Sequence, residues 1–390
     1  MTMQLATGNY AAGHSMSLAG EANRGARGAV CGIYPITPQT EIVEYIAQFP
    51  FSKGRVIPVE SEHSAMGVCI GAALNGARAF TASSSNGLAY MAENVMVAAF
   101  YRLPIVMAAV NRTLGPPWNI WADQGDTLMF RDFAWIQFYC DSNQDVADTT
   151  LLAFRLAEDP RILLPVMVCM EAFIVSHTSM EIELATQEQV DRFLPPCDVP
   201  QRLDSQHPAT IGGMAFPQDT LSQRLDLEEA MGRVPGALEE HRRHFEAEFG
   251  REVSGALDSY RCEDAELILI ASGTVATTLR DVIDERRRGG ERVGMIRIKL
   301  FRPFPREQVR SLCASVAKVG VLDRNHAAGT GGIFCHEVRA SLQGRSGPLV
   351  QGYLTGVGGG DVVPALVDEV LTDLAQRSSA GAAVWMGIET

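Results

Sequence analysis

Gly32-Ile33-Tyr34-Pro35-Ile36-Thr37-Pro38-Gln39-Thr40-Glu41, followed further on by Val59-Glu60-Ser61-Glu62-His63, decides how this chain folds. Pro35 and Pro38 fix their own φ and bias Tyr34 and Thr37 away from the helical region. The pattern predicts a strand ending near Cys31 and a proline-braced turn. A helix over Glu41 to Phe49 follows, with Thr37 as its N-cap and Pro38 at its first position. Such a helix start turns free N–H groups toward the turn, a seat for an anion. In the second stretch an apolar run, Val56 to Val59, delivers Glu60 and Glu62. The segment from His63 to Ala77 is too smooth and small-residue-rich for a surface helix. A carboxylate fed into such packing is either a paired structural charge or a group with a shifted pKa.

Outward from this core the chain alternates apolar strands with helices. Strands are predicted at Arg78 to Ala82, Pro104 to Val110 and Ile162 to Met170, and helices at Leu88 to Phe100 and Asp145 to Glu158. That alternation implies a parallel, doubly wound α/β sheet. Ser83-Ser84-Ser85-Asn86-Gly87 is a hydroxyl-rich strand-to-helix loop. Asn111 to Arg131, with Arg112, Trp118, Trp121, Asp123 and Asp126, is a loop of the length that usually carries function. Residues 1–250 form the first unit, with a proline-rich connector from about 195. Within it Leu225 to Phe249 is a charged helix whose His241-Arg242-Arg243-His244 reads as a solvated face. A second α/β unit spans 251–378, and residues 379–390 read as a loosely held tail. Gly329-Thr330-Gly331-Gly332 and Gly356 to Asp361 match no nucleotide fingerprint and read as tight turns.

The bulk properties narrow the class. The chain has 390 residues, 46% hydrophobic and 20% charged, and a net charge of −13. That balance disfavours nucleic acid and anionic membranes as partners. No apolar run reaches the roughly 18 residues of a membrane span, and the start lacks the pattern of a signal peptide. The eight cysteines include no C-x-x-C pair, which predicts buried thiols in a reducing cytoplasm and no metal held by this chain.

Several blocks together carry a resemblance. Tyr34-Pro35-Ile36-Thr37-Pro38, Glu60-Ser61-Glu62-His63-Ser64-Ala65-Met66, Leu103-Pro104-Ile105-Val106-Met107, Pro117-Trp118-Asn119-Ile120-Trp121 and Phe301-Arg302-Pro303-Phe304-Pro305 occur in order along nearly the whole chain. In them it resembles the α subunit of pyruvate:ferredoxin-type 2-oxoacid oxidoreductases. The resemblance implies a pyrimidine-side thiamine diphosphate domain followed by a transketolase-C-terminal-like domain. It also implies CoA-dependent oxidative decarboxylation of a 2-oxoacid. The Gly-Asp-Gly diphosphate motif and the cluster cysteines are not in this sequence. Partners are therefore implied: a β subunit with the diphosphate and Mg²⁺ motif, a γ subunit, and a ferredoxin-like δ subunit carrying [4Fe-4S] clusters. A flavoprotein is a further candidate, and the assembly is a hetero-oligomer.

Carried over residue by residue, Glu62 resembles the carboxylate that contacts the cofactor aminopyrimidine and shares a proton with its ring nitrogen. Glu60 is the rival, and a buried ion pair is the bland reading of either. Thr37 and Arg112 resemble the pair that holds the substrate carboxylate, since a guanidinium fork matches that group. The alternatives are a helix cap for Thr37 and a salt bridge to Asp123 or Asp126 for Arg112. Ser85, Asn86 and Gly87 are candidate cofactor contacts, with a capped helix start as the alternative. His63 and His177 read as structural histidines. Asn86, and Thr113-Leu114-Gly115-Pro116-Pro117 after Arg112, depart from the pyruvate pattern, so an aryl substrate such as phenylglyoxylate stands beside pyruvate. A related thiamine enzyme with another acceptor and a non-catalytic docking subunit are the remaining readings.

Overall fold

The computed structural model describes residues 2–200, 202–206, 208–344 and 347–388. Two large sheets organise it. The first has seven strands in the order Leu300–Arg302, Ile136–Tyr139, Val166–Glu171, Ile105–Asn111, Arg78–Ser83, Ala29–Ile33 and Gly54–Pro58. All pair in parallel except Leu300–Arg302, which runs antiparallel to Ile136–Tyr139. Arg78–Ser83, Ile105–Asn111 and Val166–Glu171 are buried along their whole length, as a central parallel strand covered on both faces must be. The covering helices include Gly8–Ala22, Glu62–Leu74 and Asn143–Ala157.

The second sheet has the order Val384–Trp385, Leu349–Leu354, Lys318–Asp323, Leu267–Ala271, Val293–Ile298 and Leu257–Tyr260. Its last strand is antiparallel and the others are parallel. The predicted parallel α/β class is the observed one. Among the described residues no helix is long and apolar enough to cross a membrane. All eight cysteines are free and buried.

Several boundaries differ from the sequence expectation. The helix after the proline turn starts at Thr40, preceded by Gln39, so Thr37 is not its cap and Pro38 is not its first residue. The turn closes on itself instead: Gln39 N donates to Ile36 O and Gln39 Nε2 to Tyr34 O. The apolar run Leu88 to Phe100 is divided at Met91 into Ser85–Tyr90 and Ala92–Phe100, a break that apolar content does not reveal. The short strands Ile136–Tyr139 and Leu257–Tyr260 escape periodicity because each has only four residues. The tail expected to be loose over 379–390 is held where it is described: Val384–Trp385 adds a strand beside Leu349–Leu354, Gly381 N donates to Gln351 Oε1, and Trp385 packs on the His326 ring. Positions 389 and 390 lie outside the described residues.

Buried charge joins the two halves. Lys299 Nζ and Arg297 Nη2 each lie 2.5 Å from an oxygen of Asp145. Burial pushes the Asp145 carboxyl up, but the two cations outweigh it and hold it well below the usual range. The strand Leu300–Arg302 that follows them crosses into the first sheet, so both halves share one framework.

Candidate functional site

In an open parallel sheet the carboxyl ends of the strands are where loops converge on ligands. The turn with Thr37 follows Ala29–Ile33, Glu62 follows Gly54–Pro58, Ser85 to Gly87 follow Arg78–Ser83, and Arg112 follows Ile105–Asn111. Four neighbouring strands therefore deliver all six candidates to one edge.

Arg112 and Thr37 meet there. Arg112 Nη1 donates to the Thr37 carbonyl at 2.7 Å and Nε to the Asn119 carbonyl at 3.0 Å. Arg112 is 6% exposed, and no carboxylate forms an ion pair with it among the described residues. Asp126 instead accepts from the Arg112 main-chain N at 3.0 Å. Burial lowers the pKa of the guanidinium, and the nearby Asp126 charge partly offsets that. The Thr37 side chain is exposed on the turn, and no hydrogen bond engages its hydroxyl among the described residues. A buried guanidinium hydrogen-bonded only to carbonyls has no anion bonded to it.

Glu62 is the first residue of Glu62–Leu74, behind the N-cap Ser61, whose Oγ accepts from Ser64 N. It is 7% exposed, and its carboxylate has no hydrogen bond or ion pair among the described residues. Glu60 is different: it is exposed, accepts from Ser64 Oγ, and that bond lowers its pKa. A Cβ placed on Gly87 would stand 2.6 Å from Glu62 Oε1 and 2.8 Å from Ser83 Oγ. Glycine is therefore required for the approach, and the Ser83 hydroxyl beside it is buried without a partner.

Ser85 and Asn86 are spent on the loop. Ser85 adopts φ 48° and donates Oγ to Thr113 O at 2.5 Å. Asn86 embraces Gly115 from both sides, Nδ2 to its carbonyl at 3.1 Å and Oδ1 from its N–H at 3.0 Å. His63 and His177 pair with Glu93 and Glu41.

Three residues organise this edge in ways the sequence does not indicate: there Asp126 stands only as a salt-bridge partner of Arg112, and Asn9 and Asn119 have no assigned role. Asp126, fully buried, accepts from Ser85 N, Arg112 N and Asn111 Nδ2, tying two strand ends together. Burial pushes its carboxyl up to about 7 despite those donors. Asn9 reaches from Gly8–Ala22 to the Pro38 carbonyl at 2.7 Å and to Glu41. Asn119, whose carbonyl holds Arg112, donates Nδ2 to Gly358 O at 2.8 Å, while Gly358 N donates to Asp123 Oδ2. The glycine turn of the second half thus clasps the loop that carries Arg112, Asn119 and Asp123. Polar loop residues of this kind carry no periodic signal.

The fold and this carboxyl-edge arrangement define a thiamine-enzyme type of α/β protein. The family described as pyruvate flavodoxin/ferredoxin oxidoreductase, thiamine diphosphate-binding, matches residues 21–243, and pyruvate:ferredoxin oxidoreductase core domain II matches 265–367. The chain belongs to this family, as the α subunit of a 2-oxoacid:ferredoxin-type oxidoreductase. It is 43% identical over 374 residues to the pyruvate synthase subunit PorA of Methanothermobacter thermautotrophicus, covering 95% of this chain and 96% of that one. It is 39% identical over 384 residues to the ketoisovalerate oxidoreductase subunit VorA of Pyrococcus abyssi, covering 97% and 95%. In fold it is similar to a 2-oxoglutarate:ferredoxin oxidoreductase from Magnetococcus marinus, with TM-score 0.75 and 20% identity. That match covers 96% of this chain and 65% of the longer one.

The residues present fit the family's cofactor on its pyrimidine side. An aminopyrimidine offers ring nitrogen and amino group to a carboxylate. Glu62 is buried with no other partner, next to the orphaned Ser83 hydroxyl and a glycine that leaves room.

Proposed function

We propose that this chain holds the aminopyrimidine side of thiamine diphosphate through Glu62 and anchors the substrate 2-oxoacid through Arg112 and Thr37. In the assembled complex a 2-oxoacid anion, CoA thiol and an oxidised acceptor give acyl-CoA, CO₂, one proton and the acceptor reduced by two electrons. The observation that carries the reading is the Arg112 guanidinium, buried, bonded only to carbonyls and in no ion pair among the described residues. When bound, the cofactor supplies the carbon nucleophile and the electron sink. Glu62 shares a proton with the pyrimidine ring, Arg112 orients the substrate carboxylate, and the Thr37 hydroxyl adds a second donor. Anchoring by a fork and one neutral donor orients the carboxylate without opposing its departure as CO₂. Ser85, Asn86 and Gly87 shape this edge, Gly87 by its lack of a side chain and Asn86 by fixing Gly115.

Pyruvate and its branched analogue ketoisovalerate, the substrates in the relatives' names, are the substrates favoured, with phenylglyoxylate the aryl comparison. Residues 1–250 form the cofactor domain and 251–378 the second domain. A β subunit supplies the diphosphate and Mg²⁺ contacts, and γ and δ subunits the remainder with [4Fe-4S] clusters, in a cytoplasmic hetero-oligomer. The test is acyl-CoA and CO₂ formation by the reconstituted complex with each 2-oxoacid and ferredoxin or NAD as acceptor. No CoA-dependent CO₂ release from any of them, in a complex loaded with thiamine diphosphate, would sink the reading.

A further inference from the structure

The long helix Pro217–Phe249 carries a cluster that the site above does not use. Glu240, His241 and His244 each present one ligating atom, and those atoms lie within 4.8 Å of one another. The sequence pattern places these histidines on a solvated face. His244 is indeed exposed, but His241 is only 4% exposed. It packs beside the end of helix Asn143–Ala157, where its Nε2 lies 2.9 Å from Asp159 Oδ2.

That contact fixes the ring. Asp159 also takes Arg161 Nε and Nη2, so it is a carboxylate and accepts only. His241 Nε2 therefore carries the hydrogen it gives to Asp159. In the neutral ring, Nδ1 is left as a lone pair, and this nitrogen is buried with no hydrogen-bond partner. Carboxylate on one nitrogen and a bare lone pair on the other is the arrangement in which an outer carboxylate orients a metal-ligating imidazole. A cleft of about 480 Å³, lined by Asp159, Arg161, Glu240 and His241 among others, opens beside it. Glu240 is held by Arg161 Nη1 through one oxygen, Oε2, which leaves Oε1 available. Arg155 and Arg161 lie in the same cleft as Glu158, Asp159 and Asp198, so acidic groups offset the local positive charge.

We propose that Glu240, His241 and His244 bind one divalent transition-metal ion of the zinc type, with Asp159 orienting the His241 ring. Two imidazoles and one carboxylate suit zinc and its first-row neighbours, and suit the oxygen-seeking Mg²⁺ and Ca²⁺ poorly. The exposed side of His244 leaves a coordination position open to water. The ion pins one turn of the long helix and, through His241 and Asp159, ties it to the end of helix Asn143–Ala157. It thereby stabilises the folded chain by linkage. The site is remote in sequence from Thr37, Glu62 and Arg112, and it does not depend on the proposed reaction.

The test uses the full chain, stripped with a chelator and titrated calorimetrically with Zn²⁺ alone. One equivalent per chain is expected, with a higher melting temperature. His244→Ala, an exposed change that leaves the stripped fold intact, should weaken uptake at least tenfold and abolish the melting shift. Glu240→Gln should weaken uptake in the same direction. Co²⁺ in place of Zn²⁺ should give a visible ligand-field spectrum in the wild type that is lost in His244→Ala. No uptake, or uptake and melting shift unchanged in His244→Ala, overturns the site. Equally tight binding of Mg²⁺ overturns the zinc-type assignment.

Discussion

Arg112 directs Nη1 at the main-chain oxygen of Thr37 across 2.7 Å, although 75 positions separate them in the chain. The contact leaves Nη2 without a hydrogen bond among the described residues, and the Thr37 side chain is exposed on the turn. On the proposed reading, the guanidinium and the Thr37 hydroxyl are the charged and the neutral donor for the carboxylate of the 2-oxoacid. Arg112→Lys keeps the charge but loses the fork. KM for the 2-oxoacid should rise by roughly 10- to 100-fold, matching about 1–3 kcal/mol of charged hydrogen bonding. Thr37→Val should cost less. Steady-state kinetics on the reconstituted complex decide it, and an unchanged KM in Arg112→Lys removes Arg112 from the site.

Glu62 and Glu60 lie two positions apart, yet one is buried and unpartnered and the other is exposed and bonded to Ser64. Glu62→Gln keeps the shape but cannot share the proton. Turnover should fall by roughly 10²–10⁴ while the complex still assembles. Glu60→Gln should stay near wild type. The reverse order of the two variants would show the wrong carboxylate had been assigned.

Asn119 links the Gly358 turn to the guanidinium of Arg112. Asn119→Ala frees the loop from the second half without changing Arg112 or Thr37, the two donors proposed for the substrate. KM for the 2-oxoacid should rise several-fold with kcat within about twofold. Stability should drop by about 1–2 kcal/mol, the usual net loss for the two hydrogen bonds of this amide, Nδ2 to Gly358 O and Oδ1 from Trp121 N. Urea unfolding and kinetics measured on one preparation test both, and a kcat loss with unchanged KM would contradict this positioning role.

Burial holds the Asp126 carboxyl up at about 7. The unfolded chain ionises near its ordinary value of about 4, so between about pH 4 and 7 the native state binds the extra proton. The contribution of this group to stability therefore falls as pH rises through that window and levels off above it. Asp126→Asn cannot ionise in either state. The stability of wild type relative to this variant should decline from pH 4.5 to pH 7.5 in urea titrations. A difference that stays flat over that range would show that Asp126 is ionised in the fold throughout.

Much of the architecture is legible in the chain because burial on both faces leaves a mark in composition. Ile105–Asn111 and Val166–Glu171 are apolar runs because no strand face in the middle of a covered parallel sheet meets water. The proline turn and the carboxylates after Val59 are visible for a related reason, as breaks in otherwise apolar patterns. What the chain order leaves open is who meets whom. Glu60 and Glu62 are chemically identical, and only the packing of helix Glu62–Leu74 against Gly87 separates a buried acid from a surface one. Asn86 stands among the cofactor-contact candidates in the chain, and only the fold shows that Gly115 meets both ends of its amide. The tail and the strand Leu300–Arg302 are too short to show a period, and they become strands only because a neighbouring sheet offers its open edge. His241 differs from His244 only through the helix that packs over it, and hydrophobic pattern cannot express that difference for a residue that is polar either way.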